Sequence, residues 1–261
     1  AIEYGYQAVA CIPGDLMKMS DAELQTLVEK MEANDITWGS TNLPIDFRNE
    51  VTKYKEGLAT MPDVCEIMQR AGATRMNTWI MPTHADYTYL ENFKLHQSRL
   101  KEAANIAGHH GIRLGLEYVG PKTLMARSKY SFIRTMAEAK ELIAAIDEEN
   151  VGFVLDTFHW YCAGESKVDL LTLDKEDIVV IDLNDARTGF ERDEQVDGKR
   201  ELPLATGVIP IAEFMQAMAE IGYNGPMRAE PFNQPLRDME DDAAIKTTYE
   251  AMSRAFAMGA S

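Results

Sequence analysis

Cysteine is scarce. Cys11, Cys65 and Cys162 are the three in 261 residues, an odd number with no CxxC pair, which excludes a disulfide framework and a thiolate metal site of that kind. Such usage points to a reducing, cytoplasmic setting. No apolar run approaches the roughly 20 residues that span a bilayer, and no basic segment leads into a hydrophobic stretch as in a secretory signal. Basic residues are outnumbered, 26 Lys and Arg against 42 Asp and Glu, for a formal charge of -16. That balance disfavours a nucleic-acid surface, docking on anionic lipid, and polyanionic macromolecular substrates. No Pro/Gly/Ser-rich or charge-rich linker divides the chain, so residues 1–261 read as one domain, and 46% hydrophobic content is ample for its core.

What is present is alternation. Residues 6–12 read as a short apolar strand closed by Pro13-Gly14. Ser20 and Glu23 form a capping box ahead of Leu24, Leu27, Val28 and Met31 on one helical face. Residues 36–39 are a second strand; Met61, Val64, Cys65, Met68 and Ala71 a helical stripe ended by Gly72; residues 76–81 a strand stopped by Pro82. The series continues with a helix through Leu100 and Ala107, a strand at 112–118, a helix from Phe132 to beyond Ile143, and strands from Val151 and at 178–183. A helix at Ile211 to Met218 ended by Gly222, a strand at 227–232 and a last helix through Phe256 complete it. Repeated parallel βα units imply a (β/α) barrel or a doubly wound sheet. Seven strands are counted where a closed barrel wants eight. Ala1-Ile2-Glu3-Tyr4-Gly5 resembles a helix tail with its Gly cap, so a first strand and most of a first helix are expected upstream. Methionine stripes read as core filler.

Four strand ends finish in a carboxylate: Glu117, Asp156, Asp182 and Glu230. In a parallel barrel these ends share one face, so the four would converge on one mouth, where they repel unless a cation joins them. Oxygen-rich ligation suits Mg²⁺ or Mn²⁺. The alternative is that each acid caps a helix or pairs with a surface base, and for one acid alone it would prevail. By strand alternation Arg228 shares the face of Glu230 and lies one strand from Asp182, so an inward ion pair competes with metal ligation there. Trp79 and His84, around the Pro82 strand end, are pocket walls or core residues. Lys122 is an ordinary exposed lysine, His109-His110 caps a helix C-terminus, and the charged loop 191–201 is placed to fold over the mouth.

Leu116-Glu117-Tyr118-Val119-Gly120-Pro121, Leu155-Asp156-Thr157-Phe158-His159, Asp182-Leu183-Asn184-Asp185 and Ala229-Glu230-Pro231-Phe232, with Gly222-Tyr223-Asn224-Gly225-Pro226, resemble the xylose isomerase-like TIM-barrel superfamily. The branch resembled is that of sugar isomerases and epimerases, including ketose 3-epimerases and inosose isomerases. The resemblance implies a TIM (β/α)8-type barrel and a single divalent ion, Mn²⁺ or Mg²⁺ with Co²⁺ and Zn²⁺ as further fits, held by Glu117, Asp156, Asp182 and Glu230. Asp182 stands where that family usually has His, and Ala10 where many relatives carry Glu. The resemblance further implies Glu117 and Glu230 as the acid/base pair of an enediolate proton transfer, His159 and Arg187 as substrate contacts, and a small sugar or cyclitol substrate. Homo-oligomers are common among such proteins. Dehydration of an inosose-like or dehydroshikimate-like substrate, and a barrel that has lost its site, remain open at this stage. An endonuclease-like hydrolase of the superfamily needs several metals and many histidines, against which five His and the acidic charge both count.

Overall fold

The strands and capped helices assemble into a curled parallel sheet. The computed structural model describes residues 1–259. Within them the strands are β1 (Ala8–Val9), β2 (Thr37–Trp38), β3 (Thr41–Asn42), β4 (Arg75–Ile80), β5 (Thr83–His84), β6 (Arg113–Tyr118), β7 (Tyr130–Ser131), β8 (Val151–Asp156), β9 (Ile178–Leu183) and β10 (Met227–Ala229). Six form one sheet in the order β10-β9-β8-β6-β4-β3, β1 pairs in parallel with β2, and β5 and β7 make a small antiparallel pair. β2 and β3 flank Gly39-Ser40, so one segment hands over from pairing with Ala8 to pairing with Met76. Seven strand positions therefore run round the half-barrel, as the pattern predicts. The hydrogen-bonded crossovers between successive parallel strands are the helices Val51–Arg70, Tyr89–His109, Met136–Ile146 and Ile211–Ile221, with Asp241–Gly259 packed beside the last.

Local chemistry accounts for the element ends. Capping boxes start the long helices at Asp21, Tyr89 and Met136: Ser20 with Glu23 as predicted, Thr88 with Glu91, and Thr135 with Glu138. The third corrects one boundary, since Thr135 takes the N-cap and leaves Phe132 buried in the preceding loop, not in the helix. β10 stops at Ala229, short of the expected 232, because the Glu230 N–H turns away to donate to Asn184 Oδ1 and Pro231 has no N–H to offer a ladder. The opening residues form a short 3-10 turn, Ile2–Tyr4, ended by Gly5 at φ 81°. Every residue of β8 and β9 is buried, the state of strands covered on both faces. Met61, Met68 and Met76 are wholly buried, in keeping with their reading as core filler. Among the described residues no helix is long and apolar enough to cross a membrane.

Register places the site. Asp156 lies opposite Asp182, and Asp182 opposite Arg228, so all three project from neighbouring strands to one face. Glu117 is opposite Val154, two residues before Asp156, and Glu230 follows Arg228 by two, which returns both to that face. Gly120, just beyond β6, lets the helix carrying His159 approach the strand end. A Cβ there would stand 2.3 Å from the His159 carbonyl oxygen and 3.0 Å from the Ala163 nitrogen, backbone atoms that cannot step aside. Gly120→Ala is expected to destabilise the protein by roughly 1–3 kcal/mol through overpacking, read as a lowered denaturation midpoint; an unchanged midpoint would show that the helix can shift freely.

Candidate active site

The four predicted carboxylates meet. Ligand atoms of Glu117, Asp156, Asp182 and Glu230 all lie within 4.8 Å of one another, and those of Glu117, Asp156 and His159 form a second such group. Asp156, Asp182, Glu117 and His159 are buried and Glu230 is half-buried. Carboxylates this crowded need compensating charge, and two arginines supply it. Arg228 grips Asp182 through two parallel bonds, Nε to Oδ1 at 2.5 Å and Nη2 to Oδ2 at 2.9 Å, the fork geometry that makes guanidinium–carboxylate pairing strong. The ion pair anticipated from alternation is therefore formed. Arg200 comes from the loop 191–201. Its Nη1 donates to Asp156 Oδ2 at 2.6 Å and to Glu230 Oε2 at 3.2 Å, and its Nη2 donates to Asp197 Oδ1 at 2.7 Å. Asn184 ties the two outer acids together, donating to Asp156 Oδ2 and accepting from the Glu230 N–H.

These contacts drive the acids apart in proton affinity. Burial, then the charges of Asp156, Asp182 and Glu230, push Glu117 well above the carboxylate range, and Arg200 only partly opposes them. Glu230 rises to about 7 for the same reasons in the same order of kind, burial before its acidic neighbours. Burial acts to raise Asp156 as well, but Arg200, His159 and the bonds from Asn184 and the Phe158 N–H outweigh it and leave the group below its ordinary value. Burial raises Asp182 too, against the pull of Arg228, and acids of raised proton affinity beside one whose affinity is lowered are the pattern of an acid/base site. Burial also drives His159 down to about 4, so its ring is neutral. Its Nδ1 faces the Gly120 N–H at 3.3 Å and its Nε2 faces Arg200 Nη2 at 3.1 Å, with Glu117 Oε1 at 3.6 Å and Asp197 Oδ1 at 3.7 Å from Nε2.

Above the acids opens a cavity of about 500 Å³, lined by Glu117, Glu230, His159, Trp79, Arg200 and Arg228 among others. Trp79 and His159 thus stand at the site, as expected. His84 does not line it: its Nδ1 accepts the N–H groups of Asp86 and Tyr87, and its ring stacks on Tyr87. Arg187 lies in an adjoining cavity of about 360 Å³ that shares Arg200 and Phe232 with the first, its guanidinium over the Phe190 ring. Lys122 pairs with Asp193 at 2.6 Å. Sequence reasoning missed Arg200, Asp197 and Asn184. The only signal for the first two was that a charge-rich loop, 191–201, was expected to fold over the mouth.

The donor set suits a hard cation. Glu117 Oε1 is buried without a hydrogen-bond partner, an acceptor left open toward the other acids, and all the converging anionic atoms are oxygens. Glu117, Asp156 and Glu230 would hold such an ion, and the lone pairs that Arg228 leaves on Asp182 face the same group.

A family model described as xylose isomerase-like TIM barrel matches residues 1–254. The chain belongs to that family. It is 25% identical over 236 residues to the inosose isomerase of Bacillus velezensis, covering 89% of this chain and 80% of that protein. To the inosose isomerase of Halalkalibacterium halodurans it is 28% identical over 166 residues, 61% of this chain and 55% of that one, so the match spans little more than half of that relative. Among solved structures, a xylose isomerase domain protein from Alicyclobacillus acidocaldarius superposes with a TM-score of 0.87 at 27% identity, covering 100% of this chain and 92% of the other. In this xylose isomerase-like barrel the resemblance seen in the strand-end motifs extends over nearly the whole chain.

Proposed function

We propose that this protein is a divalent-metal-dependent isomerase or epimerase of a ketose, keto-cyclitol or related small sugar, working by enediolate proton transfer. The observation that carries the reading is the pair Glu117 and Glu230, which face each other across one site with raised proton affinities while Asp156 between them stays ionised. A bound Mn²⁺ or Mg²⁺ would supply a Lewis acid for the substrate carbonyl. The residues do the rest. One glutamate, ionised, removes the proton beside the carbonyl, and the other, protonated, returns one from the opposite face or to the neighbouring carbon. A group titrating at about 7, as Glu230 does, exchanges protons at neutral pH with little cost in either direction. His159, held at Nε2 by Arg200 Nη2, lines the cavity beside the acids, and Trp79 forms a wall against which a sugar face can lie. The family's inosose isomerases support the substrate class.

Incubating ketoses and inososes with the protein and Mn²⁺ in D₂O tests the chemistry. Deuterium at the carbon next to the carbonyl is the expected result, and a product that has lost water by mass would replace isomerisation with dehydration. Retained full exchange in both Glu117→Gln and Glu230→Gln would refute the acid/base assignment. Metal binding has its own signature. Because the proton affinity of Glu230 is raised to about 7 and that of Glu117 is raised as well, adding Mn²⁺ at pH 7 should release on the order of one proton per site. Calorimetry in buffers of different ionisation enthalpy reads that release, which should shrink in either Gln variant.

A further inference from the structure

The cavity carries two arginines that its acids do not pair. Four of the chain's thirteen arginines line it: Arg48, Arg127, Arg200 and Arg228. Arg200 and Arg228 are committed to Asp156 and Asp182. Among the described residues, Arg48 and Arg127 have no carboxylate within ion-pairing distance. Arg48 is nevertheless fixed in place. Its Nη2 donates to Thr78 Oγ1 at 2.8 Å and to the Trp79 carbonyl, and its guanidinium carbon lies 4.0 Å from the Trp79 ring centre and 4.3 Å from that of Phe47. Its Nε is buried with no acceptor at all. Arg127 is exposed at the same cavity. Burial lowers Arg48 to about 10, against the pull of Asp46 and Glu117, which still leaves it charged at neutral pH. A desolvated, unpaired cation is costly to keep unless something anionic completes it. Sitting in a chain of charge -16, whose surface repels anions in general, it marks one place where a small anion is welcome.

We propose that Arg48 and Arg127 form an oxyanion subsite, and that the substrate of this barrel carries a carboxylate or phosphate at the end remote from the reacting carbonyl. The assignment rests on the isomerase reading for the sugar part of the substrate and on the arginines alone for the charge. A planar guanidinium presents parallel N–H donors that match both groups, and the stacked, pre-oriented Arg48 loses little freedom on engaging one. The carbonyl end lies toward Glu117 and Glu230; the charged end then lies along the wall made by Trp79, away from those acids. Asp156 and Asp182 below the cavity are paired with Arg200 and Arg228, so they do not oppose an anion bound at its far end.

D-Fructose, D-fructuronate and D-fructose 6-phosphate differ only at C6, where they carry a hydroxymethyl group, a carboxylate and a phosphate ester. Their dissociation constants, with that of inorganic phosphate, are measured by calorimetry on the Mn²⁺-loaded protein. At least one charged sugar is expected to bind tenfold or more tightly than fructose, to be displaced by inorganic phosphate, and to weaken as salt is raised. Arg48→Gln and Arg127→Gln should each remove most of that preference, read in each variant as the ratio of the fructose and charged-sugar dissociation constants. Arg127 is exposed, so its replacement tests the subsite without threatening the fold, and Arg48→Lys keeps the charge at a buried position while removing the fork. Equal binding of the neutral and charged sugars, a preference that survives both Gln variants, or no binding of phosphate and both charged sugars at millimolar concentration would each overturn the proposal. Deuterium exchange run alongside separates the two readings: charged-sugar preference without exchange leaves the subsite standing and removes the isomerase, and exchange on fructose with no preference does the reverse.

Discussion

Glu117→Gln is expected to lower turnover by roughly 10²–10⁴-fold, the range for losing a positioned general acid or base, while leaving the protein at least as stable as before. The second half is the sharper test. In the metal-free protein Glu117 is buried, its proton held by desolvation and by three neighbouring carboxylates. Its folded-state affinity lies above the unfolded one, so its contribution to stability is complete below the unfolded carboxylate range and is lost as pH rises through the raised folded value. Glutamine keeps the shape and cannot ionise, so that loss disappears. Thermal denaturation in chelator across pH 5–9 should therefore show the variant gaining on the parent as pH rises. A variant that loses activity and stability together would mean that Glu117 is a structural acid, and the catalytic assignment would fall.

Arg200→Met should have the opposite profile, a large loss of stability of about 3–5 kcal/mol, as when one member of a buried ion pair is removed. The guanidinium is almost inaccessible, with its side chain 2% exposed, and it is the main partner of an equally buried Asp156. It also holds Asp197 and reaches Glu230. Methionine fills the volume but leaves Asp156 facing Glu117, Asp182 and Glu230 uncompensated. In the parent, Asp156 has a depressed proton affinity, so it stabilises the fold above the unfolded carboxylate range and that support is lost as pH falls through the lower folded value. Without Arg200 the affinity rises instead, and the variant should become more stable toward acid relative to neutral pH. Mn²⁺ should recover part of the loss, because a cation among the acids does electrostatically what the guanidinium did. A midpoint within a degree or two of the parent in chelator would show that Arg200 is a guest at the acids and not their counterion.

The four carboxylates were legible because each is local to its strand: an apolar run of fixed period announces where the strand ends and which face the last residue takes. Arg228 was legible for the same reason, as alternation put it beside Asp182 before any contact was known. Arg200 was not, since it lies in a loop whose charges have no period and whose lysine, arginine and glutamates look like any solvated run. Arg48 was hidden similarly in the connection after β3, outside any strand or helix. The helix at Val51–Arg70 begins ten residues before its apolar stripe, because its first turns carry Lys53, Lys55 and Glu56 and bury only Tyr54 before Met61. Side chains carried by regular elements can be placed from pattern; those carried by loops depend on contacts between distant segments, which pattern does not encode.

The division between strand-borne acids and a loop-borne Arg200 separates two kinds of heredity in the molecule. The acids are pinned by sheet register, and moving any of them means rebuilding a strand. The counterion arrives on a connection between β9 and the Ile211–Ile221 helix, outside the sheet's hydrogen-bonded register. Descendants of this chain can therefore retune the charge of the site, and with it the substrate it accepts, by changing a loop while inheriting the same four oxygens.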